Sequence, residues 1–224
     1  RASRHAHHEL RFTPPTKPTG ELVPRHIQLI AIASSTGGPP VLERLVEGLP
    51  AGLPCPVVIA QHMPAIFTQA MSERLDKVGQ VPVEHGRHGL RLEPGHVYVA
   101  PGAMHSRVRS GIGRGMWLEV SPEPNDLLYR PSADELLRSS AEVCGDALLG
   151  IVLTGMGEDG VIGARVLRDR GGRLIAQDHA SSVVYGMPKA VVQAGLADAV
   201  LPPAGIVEVF RSPVLSQTMS SVNA

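Results

Sequence analysis

Apolar residues in this chain come in short, nearly continuous runs. Each run ends in glycine, proline or small polar residues and is followed by a stretch of helical spacing. The runs at 27–33, 56–60, 148–153 and 173–177 lack the polar alternation of a half-exposed strand. They therefore predict strands buried on both faces, as in a parallel sheet. Helical spacing is predicted over 41–48, 67–75 (Phe67, Met71, Leu75), 132–143, 160–170, 187–195 and 204–211. Gly48, Gly171-Gly172 and Gly195 supply stops, and Pro39-Pro40 and Met187-Pro188 suit first turns. Ser132 with Glu135 three residues on reads as a capping box.

Three stretches fill out the pattern. Residues 81–84 predict a short strand, and Pro82 puts it at an edge or makes it a strand start. Residues 199–201 predict a last short strand. Residues 95–102 and 105–120 predict short strands joined by glycine-rich turns, read as an antiparallel hairpin appended to the sheet. Strands alternating with helices give an α/β fold: a doubly wound, mostly parallel sheet with helices on both faces.

The 224 residues suffice for one large domain. Residues 1–26, rich in proline and histidine and without periodicity, read as a flexible linker, and 218–224 as a disordered tail. The folded domain is expected over 27–217. His5, His7 and His8 read as part of a solvated tail rather than as metal ligands, and no metal or organic cofactor is expected. Net charge is zero and aromatic content 3%, which argues against a nucleic-acid partner. No apolar run approaches the ~20 residues of a membrane span. Two isolated cysteines, Cys55 and Cys144, fit a reducing cytoplasm better than a disulfide framework.

Chemistry concentrates where the strands end. Ser34-Ser35-Thr36-Gly37-Gly38 follows the first run, Gln61-His62-Met63-Pro64 the second, and Gly155-Met156-Gly157-Glu158-Asp159-Gly160 the third. In an open parallel sheet these loops share one edge. Ser35 as nucleophile, His62 as base and Asp159 as orienting acid would form a hydrolytic site there. Each has a plainer reading. Ser34 or Ser35 can be a helix N-cap, His62 a strand-end histidine with satisfied hydrogen bonds, and Asp159 a charge favouring its own helix dipole. A second reading is a nucleotide-binding module. Gly155, Gly157 and Gly160 match G-x-G-x-x-G after a strand and before a helix, with Asp178 at the end of the next strand. Against it, Glu158 and Asp159 would stand where a pyrophosphate must bind, and the unit comes late in the chain.

Six blocks occur in order: Ser35-Thr36-Gly37-Gly38; Gln61-His62-Met63-Pro64 with Phe67-Thr68; Ala100-Pro101-Gly102 with His105; Arg130-Pro131-Ser132 with Asp134; Leu153-Thr154-Gly155-Met156-Gly157 with Asp159-Gly160; and Gly186-Met187-Pro188. Together they resemble the catalytic domain of the chemotaxis protein-glutamate methylesterases (CheB-type), over residues 27–210. The resemblance implies a serine hydrolase with Ser35, His62 and Asp159 as its triad. It also implies Thr36 and Met156 as oxyanion or positioning residues. The implied substrates are glutamate γ-methyl esters, and certain glutamines, on the cytoplasmic helices of chemoreceptors. An upstream receiver domain is the implied regulatory partner. One departure is Ala33, where the family usually has glycine. A relative that keeps the fold for binding alone is the remaining alternative.

Overall fold

A computed structural model describes residues 19–111, 113, 115–212 and 215. The predicted tail at 218–224 and the histidine cluster at 5–8 lie outside these residues. Seven strands form one sheet, in chain order β1 (Leu29–Ser34), β2 (Val57–Gln61), β3 (Val83–His85), β4 (Val97–Val99), β7 (Leu148–Val152), β8 (Arg173–Gln177) and β9 (Ala199–Leu201). Their spatial order is β3-β4-β2-β1-β7-β8-β9, and every pairing is parallel. Strands β5 (His105–Gly111) and β6 (Gly115–Ser121) form a separate antiparallel hairpin. The segment around Val97, predicted as part of that hairpin region, instead adds β4 to the main sheet. Val97, Tyr98 and Val99 are all buried, which an appended ribbon could not provide.

Helices α2 (Gly38–Glu47), α3 (Ala65–Val78), α4 (Ala133–Cys144), α5 (Val161–Asp169), α6 (Met187–Gln193) and α7 (Pro203–Phe210) connect the strands. The period-2 alternation of β1 divides the core between them. Ile30 and Ile32 point to one side with Leu42, Leu75, Ile206 and Phe210 of α2, α3 and α7. Leu29, Ala31 and Ala33 point to the other with Leu137, Leu167 and Val191 of α4, α5 and α6. Each large apolar side chain so buried contributes about 1.5–3 kcal/mol. Ala33 pairs in register with Ala60 and Val152 and is fully buried, so its methyl group is accommodated.

The predicted linker ends earlier than residue 26. Thr19–Leu22 forms a one-turn helix, α1, and Leu22 and Val23 are buried in the first core. Two apolar residues among prolines carry too little periodicity to be read as an element. The hairpin packs on α4 through β5, and Val108 and Leu118 join the second core. Buried Arg107 ties it there, with its guanidinium reaching Glu135, Glu119 and the carbonyl of Glu123.

From β1 the chain steps outward to β2 on one side, whereas β7, β8 and β9 follow on the other. The strand order reverses between β1 and β7, and a crevice opens beyond their carboxyl ends at such a point. The loops carrying Ser35 and Asp159 leave these two strands.

Candidate active site

Ser35 follows β1 directly, in a turn closed by Gly37 at φ 82°. That left-handed glycine, not a serine, is the N-cap of α2, and no side chain caps the helix. Neither Ser34 nor Ser35 is therefore the helix cap the sequence allowed. The Ser35 amide donates to the Thr154 carbonyl at 3.0 Å, and its carbonyl accepts from Gly38 N at 2.9 Å. Gln61, the last residue of β2, locks the neighbouring loop to this turn. Ser34 Oγ donates to its Oε1, and its Nε2 donates to the Ser35 carbonyl at 2.8 Å and the His62 carbonyl at 3.2 Å. The His62 amide donates to the Ser34 carbonyl at 2.9 Å. Ser35 and His62 thus leave adjacent strands with their backbones pinned together. Gly38 is needed for this closeness, since a Cβ there would lie 2.2 Å from Gln61 Oε1. A Cβ at Gly155 would lie 2.6 Å from that of Ser35.

His62 Nε2 meets Asp159 Oδ2 at 2.8 Å, and both side chains are more than nine-tenths buried. A carboxylate only accepts, so Nε2 carries the proton and Nδ1 is the basic nitrogen of the neutral ring. Nδ1 is buried with no hydrogen-bond partner among the described residues. His62 is therefore not the fully satisfied strand-end histidine that was one reading of it. The His62 ring lies flat against Tyr129, with centroids 4.3 Å apart and planes 4° apart.

Asp159 does not serve its own helix. Its Oδ2 accepts from Ala133 N at 2.7 Å, and its Oδ1 from Asp134 N at 2.9 Å and Ser132 Oγ at 3.1 Å. These donors are the N-terminus of α4, where Ser132 accepts from the Glu135 amide, half of the predicted capping box; the Glu135 carboxylate turns instead to Arg107 and Arg138. Burial pushes the Asp159 carboxyl up. The hydrogen bonds from His62 and from the Asp134 and Ala133 amides outweigh that and hold it below the usual carboxylate range. Asp134 goes the other way. Burial first, then the neighbouring Asp159 charge, push it up to about 6, against the amides of Gly163 and Gly160.

Thr36 and Met156 stand exposed beside the turn and the β7 loop. Neither of their backbone N–H groups donates to a described residue, although Thr36 O accepts from Thr154 Oγ1 at 2.9 Å. Exposed Ile66, Phe67, Leu128, Met156, Ile162 and Val183 all sit on loops or first helical turns at this end of the sheet.

The dinucleotide reading meets a filled site. Asp134 Oδ1 accepts from Gly160 N at 2.9 Å and Gly163 N at 2.8 Å, so a side chain occupies the α5 N-terminus that a pyrophosphate would need. Asp178 accepts from Ser181 N and Oγ, closing a local turn. Among the described residues no group of three His, Cys, Asp or Glu could hold a metal. Gln61, Tyr129, Ser132 and Asp134 were given no part in the site by the sequence reading. The capping box marked a helix N-terminus that attracts a carboxylate, and this was the available signal for Asp159.

The profile described as CheB methylesterase matches residues 30–210. The chain belongs to the CheB methylesterase family. A protein-glutamate methylesterase/protein-glutamine glutaminase 1 of Oleidesulfovibrio alaskensis is 50% identical over 173 residues, covering 77% of this chain and 47% of that protein. One from Maricaulis maris is 48% identical over 187 residues, covering 82% and 46%. The chain thus spans about half the length of the curated CheB relatives it matches. The crystal structure of the Thermotoga maritima CheB methylesterase catalytic domain superposes with a TM-score of 0.79 at 36% identity, covering 83% of this chain and 98% of that one. The doubly wound architecture is that of the CheB catalytic domain.

Proposed function

We propose that this chain hydrolyses γ-methyl esters of glutamate side chains on the cytoplasmic helices of chemoreceptors, with Ser35 as nucleophile, His62 as base and Asp159 as orienting acid. The buried His62–Asp159 pair at 2.8 Å, beside the Ser35 turn, carries the reading. His62 Nδ1 takes the Ser35 Oγ proton as Oγ attacks the ester carbonyl, and the carbonyl electrons move onto oxygen. Thr36 and Met156 supply N–H donors for that oxyanion. Collapse expels methanol, which leaves with the His62 proton, and a glutamyl ester remains on Ser35. Water, deprotonated by His62, attacks it, releasing glutamate and restoring Ser35. A glutamine γ-amide fits the same steps with ammonia as leaving group, in keeping with the two activities in the relatives' names.

Chemoreceptor helices as partner imply a cytoplasmic setting. No helix among the described residues is long and apolar enough to cross a membrane. An upstream receiver domain is the proposed regulator, and the proposed catalytic domain starts with α1 rather than at residue 27. The test is methanol release from methylated chemoreceptor by this chain and by S35A. Release by wild type and none by folded S35A is expected. Release by S35A near the wild-type rate removes Ser35 from the role. No release by either protein overturns the esterase reading in favour of a binding-only relative.

A further inference from the structure

We propose that Tyr129 is a positioning residue for His62, holding the imidazole plane and stabilising the ring when it becomes positive. This rests on the esterase reading above. The bond to Asp159 fixes one atom of the ring. Rotation about the Cβ–Cγ bond, a soft sp³–sp² torsion, is then opposed by a single hydrogen bond. The Tyr129 ring, 4.3 Å away and within 4° of parallel, blocks the tilt that would swing Nε2 from Asp159 and Nδ1 from its working direction.

Tyr129 is itself held. Its hydroxyl end lies against Gly157, where a Cβ would come within 2.9 Å of Oη. Gly157 has φ 87°, so a side chain there is strained on both counts. Tyr129 precedes the Arg130-Pro131-Ser132 segment that leads into α4, so one stretch of chain delivers both the stacking ring and the Ser132, Ala133 and Asp134 donors to Asp159. It also walls an open cavity of ≈ 700 Å³ with Leu128, Asp159 and Ile162, and so separates His62 from that space. An aromatic face beside a cation is attractive, most of all where water is excluded. That attraction acts only while His62 carries the proton from Ser35, so it favours the transition state over the resting enzyme.

The test compares Y129F, which keeps the ring, with Y129L, which keeps apolar bulk without a π face. With methylated receptor as substrate, Y129F stays within about twofold of wild type. Y129L loses about 10- to 30-fold in kcat with KM little changed. Heteronuclear NMR of the whole chain reads the same point without turnover. The low-field Nε2 proton of His62 persists in wild type and Y129F and is lost to exchange in Y129L. Wild-type kcat in Y129L, a loss confined to KM, Y129F as impaired as Y129L, or an unchanged Nε2 proton in Y129L would each overturn the proposal. If wild type releases no methanol, the esterase reading fails, and the NMR comparison still decides the role of Tyr129.

Discussion

Asp134 and Asp159 cap each other's helices. Asp159, two residues before α5, accepts the amides of Ala133 and Asp134 at the start of α4. Asp134, on α4, accepts those of Gly160 and Gly163 at the start of α5. Each carboxylate sits in the positive end of the other helix's dipole, which offsets part of the repulsion between two buried acids. The exchange fixes the loop carrying Asp159 relative to α4, and through Asp159 it fixes His62.

The pair predicts a pH signature. Asp134 stands at about 6 in the folded protein, against an ordinary value of 3.8. Between these limits the folded state holds a proton that the unfolded chain lacks, so this group adds stability as pH falls from 7 towards 4. Asp159, held low, works oppositely: its contribution is present at neutral pH and is lost only below about 4. The midpoint of thermal unfolding of wild type, relative to D134N, should therefore rise from pH 7 to pH 5, other groups cancelling in the difference. Calorimetry of both proteins across that range checks it, and a constant difference refutes it.

Replacing Asp159 with Asn should remove the charge that orients and supports the base. The amide oxygen can take only one of the two carboxylate positions, so its NH2 opposes either the Ala133 or the Asp134 amide, and in either orientation the negative charge facing His62 Nε2 is gone. The imidazolium formed when His62 takes the Ser35 proton then has no anion beside it. In the proposed mechanism, methanol release should fall about 10³–10⁴-fold in kcat. Single-turnover kinetics on methylated receptor would measure it, and a loss under tenfold would remove Asp159 from the orienting role.

Arg107 predicts a loss of stability rather than of chemistry. Its side chain and that of Glu135 are about nine-tenths buried and joined, linking β5 to α4. Removing the guanidinium alone, as in R107M, leaves Glu135 with Arg138 only and should cost about 3 kcal/mol. Replacing both, as in R107M/E135L, should recover most of that, because no buried charge is left over. Denaturant unfolding of the two variants separates these outcomes, and equal losses would show that packing dominates.

Much of this was legible in the chain. β1, β2, β7 and β8 are apolar through their middles, as strands buried on both faces are, with polar Ser34, Gln61 and Gln177 at their carboxyl ends. The capping box gave the start of α4, and Gly171-Gly172 the end of α5. The hairpin region was read less well. Val97-Tyr98-Val99 is too short to declare its partner, and only the sheet offers a dry slot between β2 and β3. Leu22 and Val23 were lost in a proline-rich stretch because their burial depends on where α7 and β8 pass.

The sequence alone determined that three loops with a serine, a histidine and an aspartate would gather at one sheet edge, because parallel strands all end on the same side. It could not decide how those side chains meet. That Asp159 faces His62 Nε2, that Asp134 fills the α5 N-terminus against a phosphate, and that Tyr129 lies flat on the imidazole are contacts between elements distant in the chain. Hydrogen-bond direction and ring stacking depend on ångström-scale placement, which comes from the packing of α4 against α5 and the sheet. No periodicity along the chain encodes it.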